Sequence, residues 1–347
     1  MDTLTHGLLG AAASQAIFGR QLPRSAGLIG LVAGMAPDLD LLLSMRADPL
    51  ASILYHRQFT HSLIFIPVGA LLVSLLFIRM RAFKGVRLAV FGAALVGYGL
   101  HGPLDACTSY GTLLLWPFSY ARIAWDVIAI VDPIFSVTLL VGALWALAVR
   151  QPRPAQVAVS LALIYLGFGI WQWNRALGLQ HQLAAARGQV IEHGRVLPLP
   201  GSLVSWRSAY ISAGQIYVDG ARVPWWTAPL VKPGGSTRLV TLEMLPRPMG
   251  EREDTRRAFE VFSWFADGLT APVEGVPATI GDMRYAAEAS SLMPLWGLQF
   301  DGERAIRWRP PSSSRWRIVA GIWRSFVNAA PDYRPMNEVL SLTRGRS

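Results

Sequence analysis

The sequence predicts an all-α multi-span membrane domain, with about four full spans plus two shorter amino-terminal helices, followed by a soluble α+β domain. Three observations predict this. Hydrophobic residues are 52% of the 347 and charged residues only 16%, against about 25% charged in soluble proteins, and the mean hydropathy is +0.35. Apolar runs near the roughly 20 residues that cross a bilayer recur only in the first half. Every glutamate lies at or beyond Glu192. The same balance excludes a disordered chain. Cys107 is the single cysteine, so an intramolecular disulfide and a multi-cysteine zinc site are both excluded.

In chain order, Leu8–Phe18 and Ala26–Ala36 read as the two shorter helices. His61–Met80, Val86–Leu104, Ala129–Val149 and Ala155–Trp173 read as full spans. The amino terminus has Asp2 and His6 and no basic n-region, so a cleaved signal peptide is not expected. The membrane domain occupies residues 1–175 and the α+β domain residues 176–347. In the second domain, Leu203–Ser212, Gln215–Val223, Thr237–Met244, Ala278–Tyr285 and Arg304–Arg309 alternate like strands. Glu253–Ala266 reads as a helix, with Phe259, Phe262 and Phe265 at three-residue spacing. Tryptophans from Trp206 to Trp316 and Trp323 supply a core or an interfacial face.

The net charge of +10 divides as +5 for residues 1–175 and +5 for the rest, without a long basic run. Anionic lipid is therefore the expected partner and nucleic acid is not. Arg20, Arg24, Arg79, Arg81, Lys84, Arg87, Arg150 and Arg153 stand in alternate joints with no acid among them, which places those joints in the cytoplasm. The opposite, non-cytoplasmic face receives Asp38, Asp40, Asp48, Asp105, the early histidines and the carboxy-terminal domain.

Four of the six histidines occur in the first 101 residues, each in a short polar signature. These are Thr5-His6-Gly7, Pro37-Asp38-Leu39-Asp40, His56 through Thr60-His61-Ser62, and His101-Gly102-Pro103-Leu104-Asp105. Ionisable groups at membrane depth are costly and point to function. Helices running up and down would bring all four signatures to one side at one depth. Imidazoles and carboxylates suit a divalent metal, with zinc the expected ion. The candidate ligands are His6, Asp38, Asp40, His56, His61, His101 and Asp105. His101 and Asp105 are i and i+4, on one helix face. His56 and His61 are five apart, so either His56 folds back from a loop or only one is a ligand. Of Asp38 and Asp40, one binds metal while the other orients a histidine, or both bind. Asp40 is the candidate general base. Arg57 is a candidate clamp for an anionic oxygen or else a snorkelling arginine. Asp126 and Asp132 are assigned structural or supporting roles, Cys107 is a packed thiol, and His181 and His193 lie on the surface.

These signatures, beginning at Met1-Asp2-Thr3-Leu4-Thr5-His6-Gly7, resemble the YdjM-type family of inner-membrane metal-dependent hydrolases over roughly residues 1–135. Leu203-Val204-Ser205-Trp206-Arg207 and Asp282-Met283-Arg284-Tyr285 look like that family's less specific extension. The order of His, Asp, His and HxxxD is more distantly similar to zinc-dependent phospholipase C, which implies phosphoester chemistry. The resemblance implies a hydrolase acting through metal-activated water on an ester or phosphoester of a lipid or lipid-linked substrate. The alternatives are a proton or metal-ion carrier, which needs polar groups on both sides of the barrier, and a non-catalytic membrane scaffold.

Overall fold

A computed structural model describes residues 1–44, 50–245, 253–301, 304–310, 332–336 and 338–339; Asp48, Trp316 and Trp323 lie outside them. The chain divides into two compact units, Met1–Ile170 and Trp171–Ser347.

The first unit is helical. Helix α1 (Thr3–Phe18) begins at Asp2, whose carboxylate accepts from the backbone N–H and the hydroxyl of Thr5. It packs on α2 (Ala26–Met35) so closely that a Cβ on Gly30 would overlap the carbonyl oxygen of Gly10. A 3₁₀ turn at Ala36–Leu39 and the short α3 (Asp40–Ser44) and α4 (Ala51–Tyr55) follow. Two further 3₁₀ turns, Phe59–His61 and Leu63–Phe65, lead into α5 (Ile66–Ile78). Then come α6 (Arg87–Gly99), α7 (His101–Ala106), α8 (Pro133–Val149) and the first part of α9 (Arg153–Ala186). Ile29, Ala33, Ala70, Val90, Ala93 and Tyr98 form one buried cluster between α2, α5 and α6. Leu8, Leu9, Leu104, Phe135, Leu139 and Ala162 form another.

Four full spans do not form. Among the described residues, one helix, Arg153–Ala186, is long and apolar enough to cross a membrane. There are two if Ala51–His61 and Leu63–Ile78, bent by 53°, are taken as one broken span. The apolar runs exist, but the backbone interrupts them. His61–Met80 is cut by turns, leaving 13 helical residues in α5, and Val86–Leu104 breaks at Leu100 after the 13 of α6. Ala129–Val149 starts its helix only at Pro133, behind the capping Asp132, and keeps 17 residues. At 1.5 Å per residue these helices are about 20–26 Å long, short of the roughly 30 Å hydrocarbon core. The unit nevertheless exposes Leu71, Leu72 and Leu76 of α5, Leu144 and Trp145 of α8, and Leu163 and Ile164 of α9. A contiguous apolar exterior of this kind is covered by lipid or another protein.

The second unit packs Ala176, Leu179 and Leu183 of α9 on an antiparallel sheet ordered β1-β2-β3-β4-β9. Its strands are β1 (His193–Pro198), β2 (Ser205–Ser212), β3 (Gln215–Arg222), β4 (Leu230–Arg238) and β9 (Arg334–Pro335). A second antiparallel sheet runs β5 (Thr270–Pro272), β6 (Thr279–Asp282), β7 (Gly297–Asp301) and β8 (Arg304–Trp308). Helix α10 (Glu253–Phe265) buries Phe259, Phe262 and Phe265, as their spacing requires. The strand expected at Thr237–Met244 is misplaced: β4 ends at Arg238, and Leu242–Met244 is a 3₁₀ turn. Trp206 is a core residue, whereas Trp225 and Trp226 are exposed.

Candidate metal centre

Each polar signature ends or interrupts a helix, and the ends meet. His6 projects from the first turns of α1, Asp38 and Asp40 come from the turn closing α2, and His56 caps α4. His61 ends the next turn, and His101 and Asp105 share α7. Arg57 has a positive φ of 63°, uncommon for a residue with a side chain. That reversal folds His56 back towards His61, and their rings meet edge to face at 5.6 Å. The hydroxyl of Tyr98 holds the Thr60 carbonyl at 2.9 Å and fixes the same turn from α6.

The proton positions follow from the hydrogen-bond network. His101 Nδ1 lies 2.6 Å from the carbonyl oxygen of Gly34, which only accepts, so Nδ1 carries the proton. Thr60 donates its hydroxyl to Asp40 Oδ2 at 2.9 Å and therefore accepts from His61 Nδ1, also at 2.9 Å. Both neutral rings thus turn an Nε2 lone pair inward, and the two nitrogens are 2.9 Å apart. Asp38 Oδ1 is 3.5 Å from each of them, and Asp105 Oδ2 is 3.4 Å from His61 Nε2 and 3.6 Å from His101 Nε2. A tetrahedral ion with bonds of about 2.0–2.1 Å has ligand–ligand edges of about 3.3–3.4 Å. Five of this quartet's six edges are close to that.

Two lone pairs at this distance need positive charge between them, either a proton or a metal ion. The two carboxylate oxygens, of which Asp105 Oδ2 is buried without a hydrogen-bond partner, complete a donor set that fits a divalent metal. The geometry also brings together two overlapping triads capable of holding an ion, His6–His101–Asp105 and Asp38–His56–His61.

The remaining candidates surround these donors. His6 stacks on His101 with centroids 3.7 Å apart and bonds Asp105 Oδ1 at 2.9 Å. The amino group of Met1 also donates to Asp105 Oδ1. Asp40 does not face the quartet: Oδ1 takes the His56 Nδ1 proton at 2.8 Å, and Oδ2 takes the Arg57 backbone N–H at 3.1 Å as well as Thr60. Arg57 is buried rather than snorkelling. Its Nη2 lies 3.1 Å from Asp105 Oδ1, and its guanidinium covers the Tyr110 ring at 4.5 Å. Of the four site histidines His56 alone reaches solvent, with 11% of its side chain exposed.

Other residues stand apart. Asp132 caps α8 through Phe135 N–H and accepts the Tyr165 hydroxyl at 2.8 Å. Asp126 is buried with a φ of 56°. Cys107 packs beside the Leu104–Ile128 cluster. His181 is exposed on α9, and His193 pairs with Asp267 at 3.0 Å. Sequence reasoning missed Thr3, which bonds Asp38 Oδ2 at 2.5 Å, and also Tyr98, Tyr110 and the Gly34 carbonyl. Thr3 stands inside the amino-terminal signature and was open to discovery. The other three carry no local mark.

The comparisons with known proteins fall on this first unit. The family model described as YdjM inner membrane protein matches residues 1–176. No curated protein and no solved structure matches the chain, and the distant likeness to zinc-dependent phospholipase C finds no support. Carrying the His–Asp signatures within a match that covers half its length, this chain belongs to the YdjM inner membrane protein family.

Proposed function

We propose that Asp38, His61, His101 and Asp105 hold a divalent metal, with zinc the expected ion, and that the protein is a membrane-bound metal-dependent hydrolase. The observation that carries this reading is the pair of inward Nε2 lone pairs of His61 and His101 beside two carboxylate oxygens. When bound, a divalent ion supplies Lewis acidity and makes water nucleophilic near neutral pH.

The chain's own groups divide the remaining work. Asp40 holds the His56 Nδ1 proton, which leaves Nε2 as the basic nitrogen of the most exposed site histidine. His56 is thereby placed to accept a proton, and Asp40 acts through it. Arg57, fixed by Asp105 and Tyr110, offers a buried Nε without a hydrogen-bond partner for an anionic oxygen. The inner-membrane family and the apolar exterior favour an ester or phosphoester of a lipid or lipid-linked molecule as substrate.

The test is a vesicle assay. Purified protein, metal-loaded and reconstituted, should release a water-soluble product from a panel of phospholipids and lipid-linked esters. His61→Ala should abolish release. Ion or proton flux that His61→Ala removes, with no hydrolysis across the panel, would instead establish a carrier.

A further inference from the structure

The two stretches of the second unit singled out in the sequence, Leu203–Arg207 and Asp282–Tyr285, converge on one cavity. It has a volume of about 60 Å³ and is lined by Arg207 and Arg284 with Leu197, Leu199, Pro200 and Ala287 among its walls. Both arginines are almost completely buried. Arg284 is neutralised: Nε and Nη2 grip the two oxygens of Asp282 at 2.9 and 2.8 Å. The other nearby buried carboxylate, Asp219, is gripped by Arg187 at 2.7 and 2.8 Å.

Arg207 has no carboxylate of its own among the described residues. Its Nε donates to the carbonyl of Met283 at 2.9 Å, and Nη1 to those of Ala289 and Glu288 at 2.7 and 3.3 Å. Its Nη2 is buried without any hydrogen-bond partner. Burial pushes the guanidinium down to about 10, still charged at neutral pH. A buried cation whose donors are incompletely met is costly, and the cost is relieved by an anion. The surplus is a single positive charge, and the walls are apolar. Both features select a monoanion with a small hydrocarbon body over a phosphate dianion.

We propose that this cavity is a binding site for a small monocarboxylate, whose carboxylate meets Arg207 and whose apolar body lies against Leu197, Leu199 and Pro200.

The experiment is calorimetric titration of the full detergent-purified chain with propionate, propionamide and inorganic phosphate at constant ionic strength. Propionate should bind saturably with a Kd on the order of millimolar, as befits so small a ligand, and propionamide should give no binding heat. Arg207→Gln should weaken propionate at least tenfold. Ala287→Leu, which fills the cavity and leaves Arg207 in place, should do the same with an unchanged circular dichroism spectrum. If Arg207→Gln does not fold, the Ala287→Leu variant and the propionate–propionamide comparison decide the matter. Absence of saturable propionate binding, equal binding of propionamide, tighter binding of phosphate, or unchanged affinity in Ala287→Leu would each overturn the proposal.

Discussion

His61 and His101 turn their Nε2 atoms towards each other at 2.9 Å, because Thr60 and the Gly34 carbonyl have taken the protons on their far sides. Two buried acceptors held that close require a cation. The positions of Asp38 Oδ1 and Asp105 Oδ2 make a metal ion the natural one.

The first prediction is therefore metal content. Elemental analysis of protein purified without chelator should find at least one equivalent of zinc or a similar divalent ion. His101→Ala and Asp105→Ala should each lower it to a small fraction. Wild-type protein that is active and metal-free would sink the assignment.

Asp40 touches the site through His56, Arg57 and Thr60. Loss of an outer carboxylate that orients the inner histidines typically costs about 10–100-fold in metal affinity. Asp40→Asn should fall in that range in a competitive chelator titration while the helical circular dichroism signal persists. An affinity within twofold of wild type would show that the Asp40 contacts do not position the rings.

The helices that present His6 and Asp38 meet backbone to backbone at Gly10 and Gly30. Gly30→Ala forces them apart and should cost about 1–3 kcal/mol, the usual penalty of overpacking. Both thermal stability and bound metal should drop. Retained metal with lowered stability would mean that the centre tolerates displacement of α1.

In the second unit, His193 pairs with Asp267, and both are substantially exposed. The hydrogen bond from Asp267 raises the His193 pKa above its ordinary value. Burial works against the Asp267 carboxylate, but His193 and Arg195 bring its pKa down. The histidine's contribution is fully present below its unfolded pKa of about 6.5 and is lost as pH rises through the folded value. The aspartate's is present above its unfolded value of about 3.9 and is lost as pH falls through the lowered one. The pair thus acts across mildly acidic pH, and at this exposure it is worth at most about a few tenths of a kcal/mol. Titration of the His193 ring by NMR should give a lower pKa in Asp267→Asn than in wild type. Identical curves would refute the coupling.

Charge asymmetry among the joints predicts sidedness. In a Cys107→Ser background, a cysteine at Lys84 should be labelled from the cytoplasm and one at the exposed Glu274 from the opposite side. Labelling of both from one face would reverse the orientation drawn from the arginines.

The sequence by itself determined which residues matter to the centre and where they stand along the chain. The signatures hold the His and Asp ligands at helix ends, the i, i+4 spacing of His101 and Asp105 puts both on one face, and the first glutamate at Glu192 marks a change of texture. These features are local, and local patterns survive in the sequence. Span number was not legible, because hydropathy records how apolar a run is and not whether its backbone stays helical. The turns at Phe59–His61 and Leu63–Phe65, the break at Leu100 and the late start at Pro133 shortened three expected spans. Only the tertiary structure decided that Asp38 faces the inward nitrogens while Asp40 supports His56, and that Arg57 turns inward. Such roles depend on which atom of a side chain meets which partner across 99 residues, as in His6 and Asp105, or 40, as in His61 and His101. No periodicity in the chain encodes a direction in space over that separation; the packing of α1, α2, α6 and α7 supplies it.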